Sequence, residues 1–108
     1  MKIHPLSKSE VLTGKTRFDE LFNQGTFIRG KLVNIIFQKA DSFKIAFAVS
    51  GKIRIHAKRN KLKRHLREIY RTNKKEFPSA IHLILIIKKE NYKYFELQKE
   101  VLSRMEAI

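Results

Sequence analysis

Residues 81–87, Ile-His-Leu-Ile-Leu-Ile-Ile, constrain the fold of this chain more than any other stretch. Side chains alternate between the two faces of a strand. Here Ile81, Leu83, Leu85 and Ile87 take one face, and Ile84 and Ile86 take the other. A strand that is apolar on both faces belongs in the interior of a sheet and is covered above and below. The rest of the chain must therefore supply partner strands and two layers of cover. His82 is the polar exception. It is expected at the edge of that core, since no partner at metal-ligand spacing accompanies it.

The remaining elements fit that demand. Residues 16–24 predict a first helix, with Phe18, Leu21 and Phe22 on one face, a Thr16/Asp19 capping box and Gly25 just past the end. From spacing alone the two phenylalanines read as core residues. Residues 26–29 predict a short strand and residues 31–38 a clearer one. In the latter, Val33, Ile35 and Phe37 face one way, and Leu32, Asn34, Ile36 and Gln38 the other. Residues 44–49 predict a further strand whose second face carries only Ala46 and Ala48. Side chains that small admit a packed helix or a bound nucleic-acid strand close to the sheet. Pro78 ends a connector after residue 72, and residues 94–105 predict a last helix with Tyr94, Leu97, Val101, Leu102 and Met105 on one face. Residues 1–14, with Pro5 and Gly14, predict an extended, polar and only partly ordered lead-in. The expected fold is a single α+β domain over 1–108, with helices sandwiching one sheet in the order α-β-β-β-α-β-α.

The charge is concentrated in one place. The net charge is +14 over 108 residues, and eleven of the 24 Lys and Arg, but only one of the ten acids, lie between Lys52 and Lys75. A helix over residues 57–72 would run about 24 Å. Leu62, Leu66, Ile69 and Tyr70 would form its apolar stripe. Asn60, Lys63, Arg64, Arg67 and Arg71 would fall on the opposite side. A solvated helix face mixes charge signs, with acids placed to pair with bases. A row of one sign points to a polyanion, and Arg presents a planar fork to phosphate oxygens.

Composition narrows the alternatives. With 43% hydrophobic residues the chain can bury a real core, and with no cysteine it has neither disulfides nor thiolate metal ligands. No apolar run approaches the ~18 residues of a membrane span, and the N-terminus lacks the apolar region of a secretory signal. A cytoplasmic protein with no membrane partner is expected. The four histidines show no HExxH spacing, and neither a phosphate-binding loop nor a nucleophile elbow is present. Nothing in the sequence argues for a paired-carboxylate hydrolase either, so if RNA chemistry takes place, this protein is not expected to break the bond itself.

The basic helix also carries a family resemblance. Arg59-Asn60-Lys61-Leu62-Lys63-Arg64-His65-Leu66-Arg67-Glu68 is similar to the RNRxKRxxRE helix of the protein subunit of bacterial ribonuclease P. Phe18-Asp-Glu-Leu-Phe22-Asn-Gln-Gly25 resembles the first helix of that family. Phe47-Ala-Val-Ser50 followed by Lys52-Ile53 resembles the end of one of its strands. The similarity runs from about Leu12 to Met105.

The resemblance implies a left-handed crossover through the basic helix. It implies that the protein assists a catalytic RNA, which uses bound Mg²⁺ to cleave precursor tRNA at the mature 5′ end. Ribonuclease P RNA and precursor tRNA are then the partners, with Mg²⁺ held through the RNA and none by the protein. Arg59, Asn60, Lys61, Lys63, Arg64 and Arg67 would contact the catalytic RNA, and Arg71 lies on the same face. Phe18, Phe22, Ser50 and Lys52, with Val49 nearby, would border a cleft for the single-stranded 5′ leader. Some positions depart from the pattern. Lys61 stands in place of the second Arg, Gly51 in place of a Lys, Arg54 in place of a Gly, and Ile36 where an aromatic is common. Losing a Gly at a left-handed position predicts strain or a different turn at 51–56. The alternatives are a ribosomal or other basic structural RNA-binding module on a similar fold and, more remotely, a DNA-binding helix. The latter lacks the preceding helix of a helix-turn-helix.

Overall fold

The apolar strand Ile81–Ile87, β4, is the strand around which the sheet is assembled. The computed structural model describes residues 8–108. In chain order its elements are α1 (Lys15–Gln24), β1 (Thr26–Ile28), β2 (Val33–Lys39), β3 (Lys44–Val49), α2 (His56–Thr72), β4 and α3 (Tyr94–Glu106). The sheet order is β1-β2-β4-β3. β4 arrives last and fills the slot between β2, its antiparallel neighbour, and β3, its parallel one. That position explains its composition, since Leu83, Ile84, Leu85 and Ile87 lose all contact with solvent. The parallel pairing makes β3-α2-β4 a crossover unit, so α2 must lie across the sheet. The α+β order expected from the sequence is the order observed.

The two faces are covered unequally. On one, Val33, Ile35, Ile45, Val49, Leu83 and Leu85 pack against α2 (Leu62, Leu66, Ile69, Tyr70) and α3 (Leu97, Val101, Met105). On the other, the buried set is only Leu12, Leu21, Ile36 and Ile84, with Phe18, Ala46, Ala48 and Ile86 partly buried around it. α1 packs on β2. The Ala46 and Ala48 side of the sheet therefore keeps some solvent access.

Three local expectations are revised. No Thr16/Asp19 capping box forms. The helix starts at Lys15, with Gly14 at φ 95° as its cap, so Thr16 already lies inside the first turn and Asp19 pairs with Lys15 at 3.2 Å. Gly25 adopts an ordinary φ of −72°. A Cβ there would come within 2.6 Å of the Leu21 carbonyl, so close approach, not a left-handed turn, is what requires glycine. The lead-in is only partly as expected. Residues 1–7 lie outside the described residues, but Val11 bridges Ile45 in parallel, the Leu12 N–H donates to the Ile45 carbonyl at 3.0 Å, and Leu12 is buried. This segment covers the free edge of β3, which would otherwise present unpaired backbone groups. Glu10 secures it, accepting from the Tyr70 hydroxyl and pairing with Lys74 at 3.1 Å.

Candidate nucleic-acid interface

α2 is anchored through its apolar stripe, as its spacing predicts. Leu62, Leu66, Ile69 and Tyr70 are its buried residues. Its first turn holds no acid, so the positive end of the helix dipole adds to the basic side chains instead of being neutralised.

The cations of the helix separate into two groups. Lys61, Lys63 and Arg64, with Asn60, make no hydrogen bond or ion pair among the described residues, and Lys61, Arg64 and Asn60 are exposed. Arg67 is exposed with its guanidinium 5.9 Å from the centroid of the Phe47 ring, which aims the group without neutralising it. The others have partners within the chain. Arg59 Nη1 donates to the carbonyls of Ser50 at 2.9 Å and Ile53 at 2.8 Å, and Nη2 to that of Val49 at 3.3 Å. Arg71 Nε donates to Glu68 at 3.0 Å, and that hydrogen bond holds the Glu68 carboxyl below its ordinary pKa. Lys58 pairs with Glu90 at 2.6 Å. Of the seven residues that sequence reasoning placed on this surface, Asn60, Lys61, Lys63, Arg64 and Arg67 thus project without an acidic partner. Arg59 works inward and Arg71 is paired with Glu68.

The Arg59 contacts also explain the loop before α2. Three backbone carbonyls converge on one guanidinium, and the Ile53 N–H closes onto the Ser50 carbonyl at 3.0 Å. Among the described residues only Gly14 and Ala80 have positive φ. Arg54 therefore occupies an unstrained turn, and the glycine it stands in for is not needed here.

The second face of the sheet holds the other candidate residues. Phe18 packs beside Ala46, Ala48 and Ile86 along the shallow, α1-lined side of the sheet. Phe22 is 56% exposed, so its ring is not core as its spacing suggested. Val49 points the other way, into the α2 core, and cannot border this cleft with its side chain. Ser50 and Lys52 sit at the end of β3, where the Lys52 N–H donates to Ser50 Oγ at 3.3 Å.

At the opposite end lies a polar row that sequence reasoning missed. Strand register places Gln38, His82 and Lys44 side by side. Arg17 of α1 reaches over them, donating to His82 Nδ1 at 2.8 Å and Gln38 Oε1 at 2.9 Å. Burial, then the charges of Arg17 and Lys44, lower the His82 pKa, with Asp41 opposing. The imidazole is therefore neutral at physiological pH and accepts at Nδ1. The only sequence signal was polar residues at alternate positions of three strands, and it cannot be read without the register.

Comparison with known proteins agrees with this geometry. The family model described as Ribonuclease P matches residues 6–108. The chain belongs to the ribonuclease P protein family. A ribonuclease P protein component from Petrotoga mobilis is 35% identical, over 95% of this chain and 94% of its own length. One from Chlorobium phaeobacteroides is 29% identical over 97% and 88%. Among solved structures, the ribonuclease P protein of Thermotoga maritima superposes with a TM-score of 0.83 at 25% identity, covering 92% of this chain and 97% of that one. The Staphylococcus aureus ribonuclease P protein shares the fold, with a TM-score of 0.78 at 19% identity. Membership makes the chain the protein component of a ribonucleoprotein endoribonuclease of tRNA processing. None of the described helices is long and apolar enough to cross a membrane.

Proposed function

We propose that this protein lies on the ribonuclease P RNA through the outward row of α2 and steadies the 5′ leader of precursor tRNA along the open side of the sheet, while the RNA performs the cleavage. The observation that carries the reading is the row Lys61, Lys63, Arg64 and Arg67, cations of one sign on a rigid helix whose single acid, Glu68, is paired with Arg71. Isolated charges repel one another over the ~8–10 Å screening length of physiological salt. Phosphates at helical spacing would relieve that repulsion.

The cleft reading rests on chemistry of a different kind. A single-stranded leader exposes base faces, which stack on aromatic rings, and a backbone that seeks cations. Phe18 and the half-open Phe22 supply rings, Ala46 and Ala48 leave the sheet low enough for a base to approach, and Lys52 and Lys44 stand at opposite ends of β3. The Mg²⁺ expected of this reaction would be held by RNA.

The test is reconstituted cleavage of a precursor tRNA by a bacterial ribonuclease P RNA, with and without this protein, across a Mg²⁺ titration. The protein should lower the Mg²⁺ needed for half-maximal cleavage, and it should do so more strongly for a substrate with a leader than for one trimmed to a single 5′ nucleotide. An unchanged Mg²⁺ requirement with the family's RNAs would refute the subunit role. An equal effect on both substrates would refute the leader cleft alone.

A further inference from the structure

Beside the phosphate-binding row, between α2 and the start of α3, the surface opens into a cavity of about 250 Å³. Three aromatic rings meet there. His65 stands at 81° to Tyr92 and at 89° to Tyr94, with centroids 5.8 and 5.4 Å apart. The Tyr92 hydroxyl lies 2.7 Å from His65 Nδ1, which fixes both rings. Tyr94 remains 38% exposed. The rim carries Lys61, with no acidic partner, and Asn91, whose amide can both donate and accept. The one acid on the rim, Glu90, is neutralised by Lys58 at 2.6 Å.

We infer that this slot receives one unpaired base of the RNA on which α2 lies. The inference rests on the RNA-binding reading above. The slot is smaller than the ~300–1,000 Å³ typical of a small-molecule pocket, and its walls are flat rings. Proteins that recognise folded RNA take bases that are splayed out of loops and bulges, stack them on aromatic side chains and hydrogen-bond their edges. Here Tyr94 offers the exposed face, Asn91 the edge contact and Lys61 the phosphate of the same nucleotide. His65 has the chemistry of a wall and not of a cation. Burial, then the charges of Lys61 and Arg64, lower its pKa, so it stays neutral. With Lys58 and Glu90 paired to each other, the rim keeps one uncompensated charge, that of Lys61, and it continues the basic row of α2, which favours a nucleotide over an acidic-basic mixed peptide.

The experiment measures binding of the intact protein to a transcribed bacterial ribonuclease P RNA across a salt series. Tyr94→Leu keeps bulk and removes the ring. It should weaken binding by about five- to 150-fold, the range of one base–aromatic stack, and leave the salt slope unchanged because no ionic contact is lost. Tyr94→Phe should bind as the parent does. The parent chain has no Trp, so Tyr94→Trp gives a single tryptophan, excited selectively over the remaining tyrosines, that a stacked base should quench. Parental affinity in Tyr94→Leu, or unquenched emission at saturation, would overturn the slot. So would a changed salt slope in Tyr94→Leu, which would mean that the residue acts through the charges near it, Glu68 and Arg71, and not through a stacked base. If the parent itself showed no salt-dependent binding, the failure would belong to the RNA-binding reading.

Discussion

Removing Lys61 and Arg64 together tests the division of α2 into free and internally bound cations. Neither has an acidic partner among the described residues. Each phosphate contact contributes about 0.7–0.9 to the slope of log affinity against log salt. The double variant Lys61→Ala/Arg64→Ala should therefore flatten the slope by about 1.4–1.8. Over a fourfold rise in salt, the parent should lose about tenfold more affinity than the variant does. Arg59→Ala removes an equal charge from the same helix, but its three hydrogen bonds go to the carbonyls of Val49, Ser50 and Ile53. It should leave the slope nearly parental and instead lower stability by about 1.5–3 kcal/mol, the range for hydrogen bonds that involve a charged group. Glu68→Gln releases Arg71 from its partner and should steepen the slope. Fluorescence anisotropy with labelled ribonuclease P RNA reads the slopes, and urea unfolding reads the stability. A double variant with the parental slope would move the phosphate contacts off α2. A folded Arg59→Ala protein that flattened the slope as much as the double variant would show that Arg59 leaves its carbonyls to meet RNA.

Two further outcomes follow from groups away from that row. The Glu100 carboxylate on α3 accepts from the Leu32 and Val33 N–H groups at 2.9 Å each, tying the entry of β2 to the last helix, so Glu100→Ala should lower unfolding stability by about 1.5–3 kcal/mol; a loss below about 1 kcal/mol in urea titration would mean that water replaces the carboxylate at little cost. His65 and His82 both have pKa values lowered from 6.5 in the folded chain, so the unfolded chain binds more protons as the pH falls below 6.5. Stability should therefore be full above that pH and decline on acidification through it; the double variant His65→Gln/His82→Gln should flatten the decline between about pH 7.5 and 5.5 in thermal melts, and an unchanged pH profile would assign it to the carboxylates.

Much of the fold was legible because its strongest signals are local. The alternation in β4 placed it inside a sheet, and the stripe Leu62, Leu66, Ile69 and Tyr70 fixed which face of α2 is buried. What escaped reading depends on contacts distant in sequence. Leu12 reads as part of a polar lead-in, yet it is buried because the sheet leaves the edge of β3 unpaired, and the segment before α1 happens to reach it. Glu100 reads as one more surface acid on an amphipathic helix. Its role appears only when α3 is docked over the β1–β2 turn, where a Cβ on Gly30 would lie 2.4 Å from its carboxylate.

The candidate site shows the same limit in sharper form. Composition reports that α2 is basic, but Arg59 and Arg64 are the same residue type on one helix and have opposite fates. Arg59 lies within reach of the loop that follows β3, and there three carbonyls outbid solvent for its guanidinium. Arg64 lies farther along, where the helix has left that loop behind and Glu68, one turn on, is paired with Arg71 instead. A charge count therefore overstates the surface available to phosphate. The better predictor is which cations have neither a carbonyl nor a carboxylate within hydrogen-bond distance, and on α2 that leaves Lys61, Lys63, Arg64 and Arg67. The arginine that begins the family's motif then shapes the loop at the end of the strand bordering the proposed leader cleft. In this way one residue couples the helix proposed to meet the catalytic RNA to the strand proposed to meet its substrate.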